Sequence, residues 1–482
     1  MKKLSLFDQM FYKLDEAGVV SPVMQGAVVL DPSGAGRPLD ADLLAAHIGA
    51  RLQQIPLLRQ KLVRAPLGLG DLRAVEDPDF DLADHVTRAT LADPGDQAAF
   101  VAYLERFSVE RLDLKKPLWR FEVVDGLADG KLALVSKLHH ALFDGVGAVE
   151  TLGSMYDSEP RPPELPARVR RRRVREPSGL DLTVRALGTS VSRLFAGPRF
   201  VRHNAGAILG DAGRALRDLL RQGTGAWGAL AVAKTSLNVR VTKDHRVVAY
   251  RVFDLAEFKA LARSLECKVN DLAMLLCSVA LEHYFSGIGE ELGSDLAAVM
   301  PINTREEKHG SSGNVLGVSV VNLHTSVPRL IDRLRMIRGD AQAAKDRVRP
   351  ESGKHVDLDE LLELVPPLLV DAMAAAAARL LATDLPWDRW LIANALITNV
   401  PGPRKNMYVA GARIEYSIPM IPMGDTMALA WGVTSFGDSL TIGLHGCAEA
   451  VRDPQLLIEG IDKAYAELTT SHEAGSRGAH PA

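Results

Sequence analysis

The stretch LALVSKLHHALFDGVGAVETL, from Leu132 to Leu152, decides the fold of its surroundings. Side chains of a β-strand point alternately to its two faces, so the even-numbered residues from 132 to 140 share one face and the odd-numbered residues share the other. His139 and His140 therefore face opposite sides and cannot do the same work. The glycines that follow permit a tight loop before an amphipathic helix. The order of strand, loop and helix predicts a layered α/β domain.

The histidine pair offers a candidate base at the end of this strand. An imidazole with a pKa near neutrality can take a proton from a hydroxyl group at physiological pH. Asp144 is too close in sequence to stack behind His140, so we expect it to fasten the loop through backbone amides or a distant arginine, with Gly145 permitting the turn. A bare His-x-x-x-Asp pattern favours a structural role, whereas the seven-residue pattern with its glycine, between a strand and a helix, favours catalysis.

The length and the patterning of the chain predict two α/β domains. A chain of 482 residues exceeds what one hydrophobic core usually serves. We place the first domain at residues 1–157, a Pro/Arg-rich linker with a helical crossover at 158–234, the second domain at 235–470, and a disordered tail at 471–482. Strand-like and helix-like periods alternate in each domain, which indicates sheets flanked by helices.

The composition excludes several classes of function. With 47% hydrophobic residues, 24% charged residues and a formal net charge of −3, the chain is globular and lacks the basic field of a protein that coats nucleic acid. Its 3 cysteines have no metal-ligand spacing, so we expect reduced thiols and no metal site. The sequence has neither a secretory signal nor about 18 uninterrupted apolar residues, which predicts a cytoplasmic protein without a spanning helix.

Several blocks of the sequence resemble one known family. The motif HHxxxDG, from His139 to Gly145, is similar to the signature of the bacterial wax ester synthase/diacylglycerol acyltransferases, in the superfamily of chloramphenicol acetyltransferase and peptide-synthetase condensation domains. Six further blocks follow the order of that family and cover almost the whole chain: LSLFDQMFYKLDE, PLGLGDLRAVEDPDFDLADHV, LDLKKPLWRFEVVDGL, KVNDLAMLLCSVAL, PINTREEKHGSSGN and TNVPGPRKNMYVAGARI.

The resemblance implies both a fold and an activity. The fold would be two chloramphenicol acetyltransferase-like domains, with mixed sheets flanked by helices and a tunnel between the domains. The activity would be transfer of a long-chain acyl group from acyl-CoA, a co-substrate used without another cofactor, to diacylglycerol or to a long-chain fatty alcohol. His140 would be the general base in a motif completed by His139, Asp144 and Gly145. Transfer would be direct, and the sequence has no G-x-S-x-G elbow.

The resemblance also assigns residues outside the motif to the substrate cleft or to its structural support. Asn270 and Asp271 precede an apolar run, as helix-capping residues do, so capping and a place at the cleft both remain open. The other residues of this kind are Pro117, Trp119, Arg305 and Asn399. We expect the proline and the tryptophan to pack ahead of a strand, and the NVPGP block to form a rigid turn.

The linker contains seven arginines and one glutamate between Arg161 and Arg175. A solvated linker is one interpretation. The other is contact with an anionic membrane or lipid-droplet surface, because each arginine near such a surface contributes about 1 kcal/mol. In that case the cytoplasmic protein associates peripherally with the inner face of the membrane or with lipid inclusions.

Two other functions remain open at this point. A condensation-type acyltransferase would take its acyl group from a carrier protein and would use the same histidine. A non-catalytic protein on this fold would bind lipid without turnover. Activity with free acyl-CoA separates the acyl-CoA-dependent enzyme from both alternatives.

Overall fold

The structure, a computed structural model, describes most of the chain. The described residues are 2–19, 21–36, 38–52, 55–66, 70–143, 151–161, 176–189, 193, 202, 232, 234–242, 244–303, 316–348, 365–382 and 393–477. None of the helices in these ranges combines the length and the apolar character needed to cross a membrane.

Helices and strands alternate along both halves of the chain. The helices are α1 (Leu6–Glu16), α2 (Ala41–Leu52), α3 (Gln97–Val109), α4 (Leu255–Ser264), α5 (Val269–Gly287), α6 (Leu330–Val348), α7 (Pro367–Ala382) and α8 (Pro454–Arg477). Shorter helical segments lie at residues 151–155 and, within the predicted crossover, at residues 179–189. The strands are β1 (Lys2–Lys3), β2 (Val23–Asp31), β3 (Gln60–Val63), β4 (Arg73–Glu76), β5 (Val86–Thr90), β6 (Trp119–Asp125), β7 (Leu132–His139), β8 (Arg246–Asp254), β9 (Ala297–Asn303), β10 (Leu316–Asn322), β11 (Ala395–Pro401), β12 (Tyr408–Val409), β13 (Ala412–Met420), β14 (Leu429–Phe436) and β15 (Ser439–Cys447).

The first large sheet carries the histidine motif. Its strand order is β12-β13-β2-β7-β6-β5, antiparallel throughout except that β5 runs parallel to β6. In β7, Leu132, Leu134 and Leu138 pack in one core with residues of α2, whereas Ala133 and Val135 pack in another core with residues of α3. The alternation predicted from the sequence is confirmed, and both faces of the sheet are covered.

The second large sheet has the order β10-β9-β11-β14-β15-β8. Strand β11 runs parallel to β9 and β14, and the other neighbours are antiparallel. A core that includes the fully buried Phe258, Leu276 and Ile461 fills the space between this sheet and helices α4, α5, α6 and α8. A small sheet of order β1-β4-β3 completes the first half.

Strand β13 joins the two halves of the molecule. It comes from the C-terminal part of the chain but pairs with β2 in the first sheet. It also packs against β14 and β15 of the second sheet, where glycines permit a close approach. A Cβ atom at Gly432 would lie 2.7 Å from Pro419, and one at Gly443 would lie 2.8 Å from it. A larger residue at either position would force the two sheets apart.

The contiguous domain limits predicted from the sequence need correction. Because β12 and β13 belong to the first sheet, the two sheets do not divide into residues 1–157 and 235–470. Periodicity indicates that a segment is a strand, but it does not identify the strand with which the segment pairs. The crossing of β13 therefore leaves no signal in the local pattern.

The predicted disordered tail is also too long. Helix α8 continues to Arg477, so the first residues of the range 471–482 are helical. The hydroxyl groups of Thr469 and Thr470 donate to carbonyl groups one turn earlier, at 2.9 Å each. Extension of an existing helix is far less costly than nucleation, so a polar segment can continue a packed helix.

Candidate active site

The histidine pair lies at the end of β7, between the residues that precede the two neighbouring strands. The backbone N–H of His139 donates to Leu118 O at 3.0 Å, and that of His140 donates to Pro22 O at 2.9 Å. Leu118 directly precedes β6, and Pro22 directly precedes β2. The backbone of the motif is therefore held from both sides.

His139 is fully buried and held through both ring nitrogens. Its exposed fraction is 0%. The Ala141 N–H donates to Nδ1 at 3.0 Å, so Nδ1 carries a lone pair and the proton of the neutral ring is on Nε2. Nε2 in turn donates to Asp15 Oδ2 at 3.2 Å. A ring engaged in this way orients the motif and has no nitrogen left for a substrate.

Asp15 lies on the buried face of α1 and is 3% exposed. Arg111 donates through Nη2 to Asp15 Oδ1 at 2.6 Å and to Asp15 O at 2.7 Å. Burial alone would raise the pKa of Asp15, but the interactions with His139 and Arg111 outweigh it, so the pKa lies below its usual value. The carboxylate is therefore ionised at neutral pH and selects the Nε2–H tautomer of His139.

His140 is partly accessible, although its neighbours are buried. Ala141 and Phe143 are 2% and 1% exposed and pack in separate cores. The Phe143 N–H donates to His139 O at 3.2 Å, which closes a turn directly after the strand. The His140 ring lies against that of Phe11, with centroids 4.6 Å apart. The fold therefore leaves the imidazole of His140 partly exposed and holds that of His139 in the interior.

Helix α1 is amphipathic, but it buries its polar face. Its buried residues are Gln9, Tyr12 and Asp15. Gln9 is satisfied there, because its side chain donates to Leu4 O at 3.2 Å and accepts the Leu72 N–H at 3.2 Å. The apolar side chains of the other face, here called the α1 stripe, are at least partly exposed: Phe7, Met10, Phe11 and Leu14. The α1 stripe therefore leads from the surface to the ring of His140.

Pro117 and Trp119 pack at the start of β6. Trp119 is 1% exposed, and its ring stacks on His85 with centroids 4.5 Å apart. Its indole N–H donates to Leu58 O. Pro117 O accepts the Trp119 N–H at 2.9 Å, which makes a tight turn into the strand. These contacts position β6 and, with it, Leu118, the residue that holds the backbone of the first motif histidine.

Asn270 and Asn399 come from separate sequence blocks and are brought together by the fold. Asn399 Nδ2 donates to Asn270 Oδ1 at 3.3 Å, which joins β11 to the start of α5. Asp271 is 3% exposed and accepts the backbone N–H of Lys268 at 3.0 Å, as in a capping box. Asp271 thus caps α5 from its third position, whereas the side chain of Asn270 bonds to Asn399 of β11.

Three residues of the predicted site lie outside the described residues: Asp144, Gly145 and Arg305. The fastening of the loop by Asp144 therefore stays a prediction, as does the turn at Gly145. The same holds for most of the arginine-rich linker, residues 162–175.

Sequence reasoning did not identify Asp15, Arg111 or Phe11, which the structure places beside the histidines. A weak signal was present, because Gln9, Tyr12 and Asp15 recur at every third position of the opening block and so mark one helix face. A polar face normally meets solvent, however, and the usual interpretation would have turned α1 the other way. No local pattern marks Arg111, whose partner is 96 residues away.

Known families and proteins match nearly the whole chain. The wax ester synthase/diacylglycerol acyltransferase catalytic domain matches residues 4–273, and the WS/DGAT C-terminal domain matches residues 312–469. A putative diacylglycerol O-acyltransferase of Mycobacterium tuberculosis H37Rv is 28% identical, over 98% of this chain and 98% of its own length. The probable diacylglycerol O-acyltransferase tgs1 of the same strain is 27% identical, over 97% of this chain and 96% of its own length.

Solved structures share the fold. The wax ester synthase/diacylglycerol acyltransferase from Marinobacter aquaeolei VT8 matches with a TM-score of 0.68 at 24% identity, over 98% of this chain and 100% of its own. The first condensation domain of the calcium-dependent antibiotic synthetase matches with a TM-score of 0.53 at 14% identity, over 96% and 95%. The predicted two-domain α/β fold is thereby confirmed. Since the catalytic-domain match spans more than half of the residues, the chain belongs to the wax ester synthase/diacylglycerol acyltransferase family.

Proposed function

We propose that this acyltransferase moves a long-chain acyl group from acyl-CoA to diacylglycerol, to a long-chain fatty alcohol, or to both. Family membership supports this choice, as do the names of the mycobacterial relatives, which are diacylglycerol O-acyltransferases. His140 acts as the general base. Acyl-CoA is a co-substrate, and the products are triacylglycerol or wax ester together with free CoA.

The reaction needs one group that accepts a proton and returns it. His140 takes the proton of the acceptor hydroxyl as the oxygen attacks the thioester carbonyl carbon. The tetrahedral intermediate then collapses, the carbon–sulfur bond breaks, and the leaving sulfur of CoA takes the proton from the imidazolium. An ester replaces the thioester, and the histidine ends neutral, as it began. No acyl-enzyme forms.

The observation that carries this proposal is the contrast between the two histidines. Both ring nitrogens of His139 are engaged in buried hydrogen bonds, so it cannot exchange a proton with a substrate without breaking them. His140 is partly exposed and lies against Phe11, which offers an apolar surface for an acyl chain. A partly exposed imidazole beside an apolar side chain suits a base that acts on a lipid alcohol.

The same surface supports peripheral association with the inner face of a membrane or with lipid inclusions. Helix α1 packs against α7, and both helices expose apolar side chains. Phe7 is 42% exposed on α1, and Leu369 and Met373 are 51% and 42% exposed on α7. Because Phe11 of the α1 stripe contacts the ring of His140, a lipid that settles on these helices is led toward the base.

Incubation of the purified protein with palmitoyl-CoA and either dioleoylglycerol or hexadecanol tests the proposed function. Release of CoA is followed with a thiol reagent, and neutral lipids are resolved by chromatography. We expect triacylglycerol, wax ester or both from the wild type, and a rate roughly 100- to 10,000-fold lower from His140→Ala. Retained turnover in a folded His140→Ala protein would remove the assignment of the base.

Two further arms separate the alternatives. Palmitoyl-pantetheine attached to a carrier protein replaces palmitoyl-CoA in the first arm, and turnover with this donor alone would assign a condensation-type reaction. The second arm analyses lipid that co-purifies with the protein. Bound lipid without turnover of either donor would assign lipid binding without catalysis, whereas product from free palmitoyl-CoA excludes both alternatives.

A further inference from the structure

Two adjoining cavities form a basic groove on the second half of the molecule. The first, about 450 Å³, lies between the start of α5 and helix α6, and its cations are Lys268, Arg335, Arg338 and Lys345. The second, about 650 Å³, lies between α4 and the turn from β14 to β15, and its cations are Lys259, Arg263, Lys268 and Arg404. Lys268 lines both cavities, so we treat them as one site, the basic groove.

The acids of the basic groove are fewer than its cations. They are Asp254, Asp271 and Asp438. Asp254 accepts the Glu257 N–H at 2.8 Å, and Asp271 accepts the Lys268 N–H at 3.0 Å, so both carboxylates serve to cap helices. Seven cations therefore face three acids in a chain whose net charge is −3. The basic groove is therefore locally positive, although the whole protein carries a net negative charge.

Two arginines of the groove are held in different ways. Arg338 Nη1 donates to Glu266 O at 2.7 Å, from α6 to the turn between α4 and α5. Glu266 has a φ of +53°, and the turn it forms holds that carbonyl in place, so the guanidinium of Arg338 is positioned in advance. Arg335 instead pairs with Asp332 at 2.9 Å through exposed side chains, a weak pair that a stronger anion can displace.

We propose that the basic groove binds the phosphate groups of the acyl donor, namely the 3′-phosphate and the diphosphate of CoA. The inference rests on the proposed function, because it takes acyl-CoA as the donor. Lysine and arginine recognise phosphate through charge-assisted hydrogen bonds. Each cavity also falls within the roughly 300–1,000 Å³ typical of small-molecule sites. Cations spread along two cavities suit several phosphates better than a single one.

The basic groove adjoins the junction between the two halves. Gly437 lies on its rim and follows Phe436, whose ring meets that of Tyr156 edge-on with centroids 5.7 Å apart. Tyr156 follows the helical segment 151–155, which comes after the histidine motif. The nucleotide thus stays at the surface of the second half, and the pantetheine arm runs from this junction toward the first half.

Calorimetry with free CoA and kinetics with two donors test the groove. The variant Lys268→Gln/Arg335→Gln removes two exposed cations from the groove, and Lys463→Gln/Arg452→Gln removes two exposed cations elsewhere as a matched control. We expect the groove variant to raise the Kd of CoA and the KM of palmitoyl-CoA about tenfold or more. The KM of palmitoyl-pantetheine, which lacks the nucleotide, stays the same, and the control variant leaves all three constants unchanged.

Each other outcome has a definite meaning. An equal rise of KM for both donors, or a rise for neither, overturns the proposal, as does a wild type that does not bind free CoA. A wild type that binds CoA and loses this binding in the groove variant, but transfers no acyl group, keeps the site and refutes the proposed function. Phosphatidylglycerol vesicles are the third probe. If the groove variant loses vesicle binding but keeps the Kd of CoA, the groove binds lipid head groups and the proposal is wrong.

Discussion

Asp15 and His139, which are 124 residues apart in the chain, meet in the buried interior through Oδ2 and Nε2 at 3.2 Å. The carboxylate comes from the first helix and the imidazole from the end of a central strand. The Ala141 N–H donates to Nδ1 of the same ring. The bond to Asp15 therefore selects the tautomer of His139, and the bond to Ala141 sets the turn that contains His140. The orientation of the candidate base therefore depends on the hydrogen bonds that hold its neighbour His139.

Substitution of Asp15 should lower turnover by disturbing this orientation. In Asp15→Ala, the Nε2–H of His139 loses its buried acceptor, which costs about 1–3 kcal/mol of stability. Asp15→Asn keeps one acceptor oxygen, which can serve the Nε2–H of His139, but it loses the charge and the second acceptor, which Arg111 uses. We therefore expect kcat to fall in the order wild type, Asp15→Asn, Asp15→Ala, with partial rescue by asparagine. Steady-state kinetics and urea unfolding measure the two effects.

Glu16→Ala is a matched control for these variants. Glu16 is the next residue of α1, but its side chain is 44% exposed and pairs with Arg64, which is 36% exposed. Exposed pairs of this kind contribute little to stability. Activity of Asp15→Ala equal to that of Glu16→Ala would contradict the positioning role.

Substitution of His139 should mainly lower stability, whereas substitution of His140 should mainly lower activity. His139→Ala leaves the Asp15 carboxylate and the Ala141 N–H without their buried partner, so we expect the free energy of unfolding to fall by about 2–3 kcal/mol. His140→Ala removes a partly exposed ring and should change the free energy of unfolding by less than about 1 kcal/mol, while it lowers turnover roughly 100- to 10,000-fold. Denaturant unfolding followed by circular dichroism checks both values. The reverse order of destabilisation would mean that the roles of the histidines are exchanged.

Periodicity predicted the central part of this fold well. The alternation of β7 is a property of the chain itself. Its two faces pack as expected because both carry apolar side chains, such as Leu134 on one face and Val135 on the other. The orientation of α1 is different. Its apolar stripe would face a core in an ordinary domain, whereas here Asp15 must face inward to reach its partner. The orientation of α1 depends on His139, a residue of strand β7, and no pattern within α1 identifies that residue.

Long-range pairing accounts for the rest of what was missed. Arg111 and Asp15 are 96 residues apart, and nothing near either residue identifies the other. The place of β13 in the first sheet depends on glycines of β14 and β15 that let Pro419 approach. Each of these features is a match between two distant segments, so neither segment alone predicts it.

Asp271 offers a direct test of helix capping in the second half. Asp271→Ala removes the acceptor for the Lys268 N–H at the start of α5, and we expect it to cost about 1 kcal/mol of stability. Asp271→Glu should restore most of the loss, because glutamate is the usual residue at this position of a capping box. Thermal unfolding of the three proteins measures the effect. If glutamate lowers activity while it restores stability, Asp271 also has a role at the cleft.

Burial of His445 should make the protein sensitive to acid. His445 is 3% exposed in β15, and its Nδ1 bonds to Ile421 O at 2.9 Å. Burial lowers the pKa of His445 from 6.5 to about 4. Between these values the unfolded chain binds more protons than the folded one. This contribution to stability is present above pH 6.5 and is lost as the pH falls through about 4.

His445→Asn isolates that contribution, because asparagine keeps a donor for Ile421 O and cannot take up a proton. Urea unfolding at two pH values gives the comparison. From pH 7 to pH 4.5 we expect the variant to lose about 2 kcal/mol less of its free energy of unfolding than the wild type loses. Equal losses in the two proteins would show that the ring is not kept neutral by burial.

The α1 stripe should control access of lipid acceptors. Phe7→Ser removes an apolar side chain that is 42% exposed, so the fold should keep its stability. Transfer of a phenyl ring into lipid is favourable by roughly 1.5–3 kcal/mol, so binding to vesicles that contain diacylglycerol should weaken about tenfold or more. We expect the KM for diacylglycerol in vesicles to rise by a similar factor, with no change for a short, water-soluble alcohol. Vesicle sedimentation and kinetics with the two acceptors measure these effects.

Leu180→Ser is the matched control for Phe7→Ser. Leu180 is 74% exposed on the helical segment 179–189, which follows the arginine-rich linker. If α1 is the surface that meets lipid, this variant binds vesicles as the wild type does, although it loses a more exposed apolar side chain. If Leu180→Ser weakens binding and Phe7→Ser does not, the protein meets the membrane through the linker side. The exposed residues of α1 would then have no part in lipid delivery.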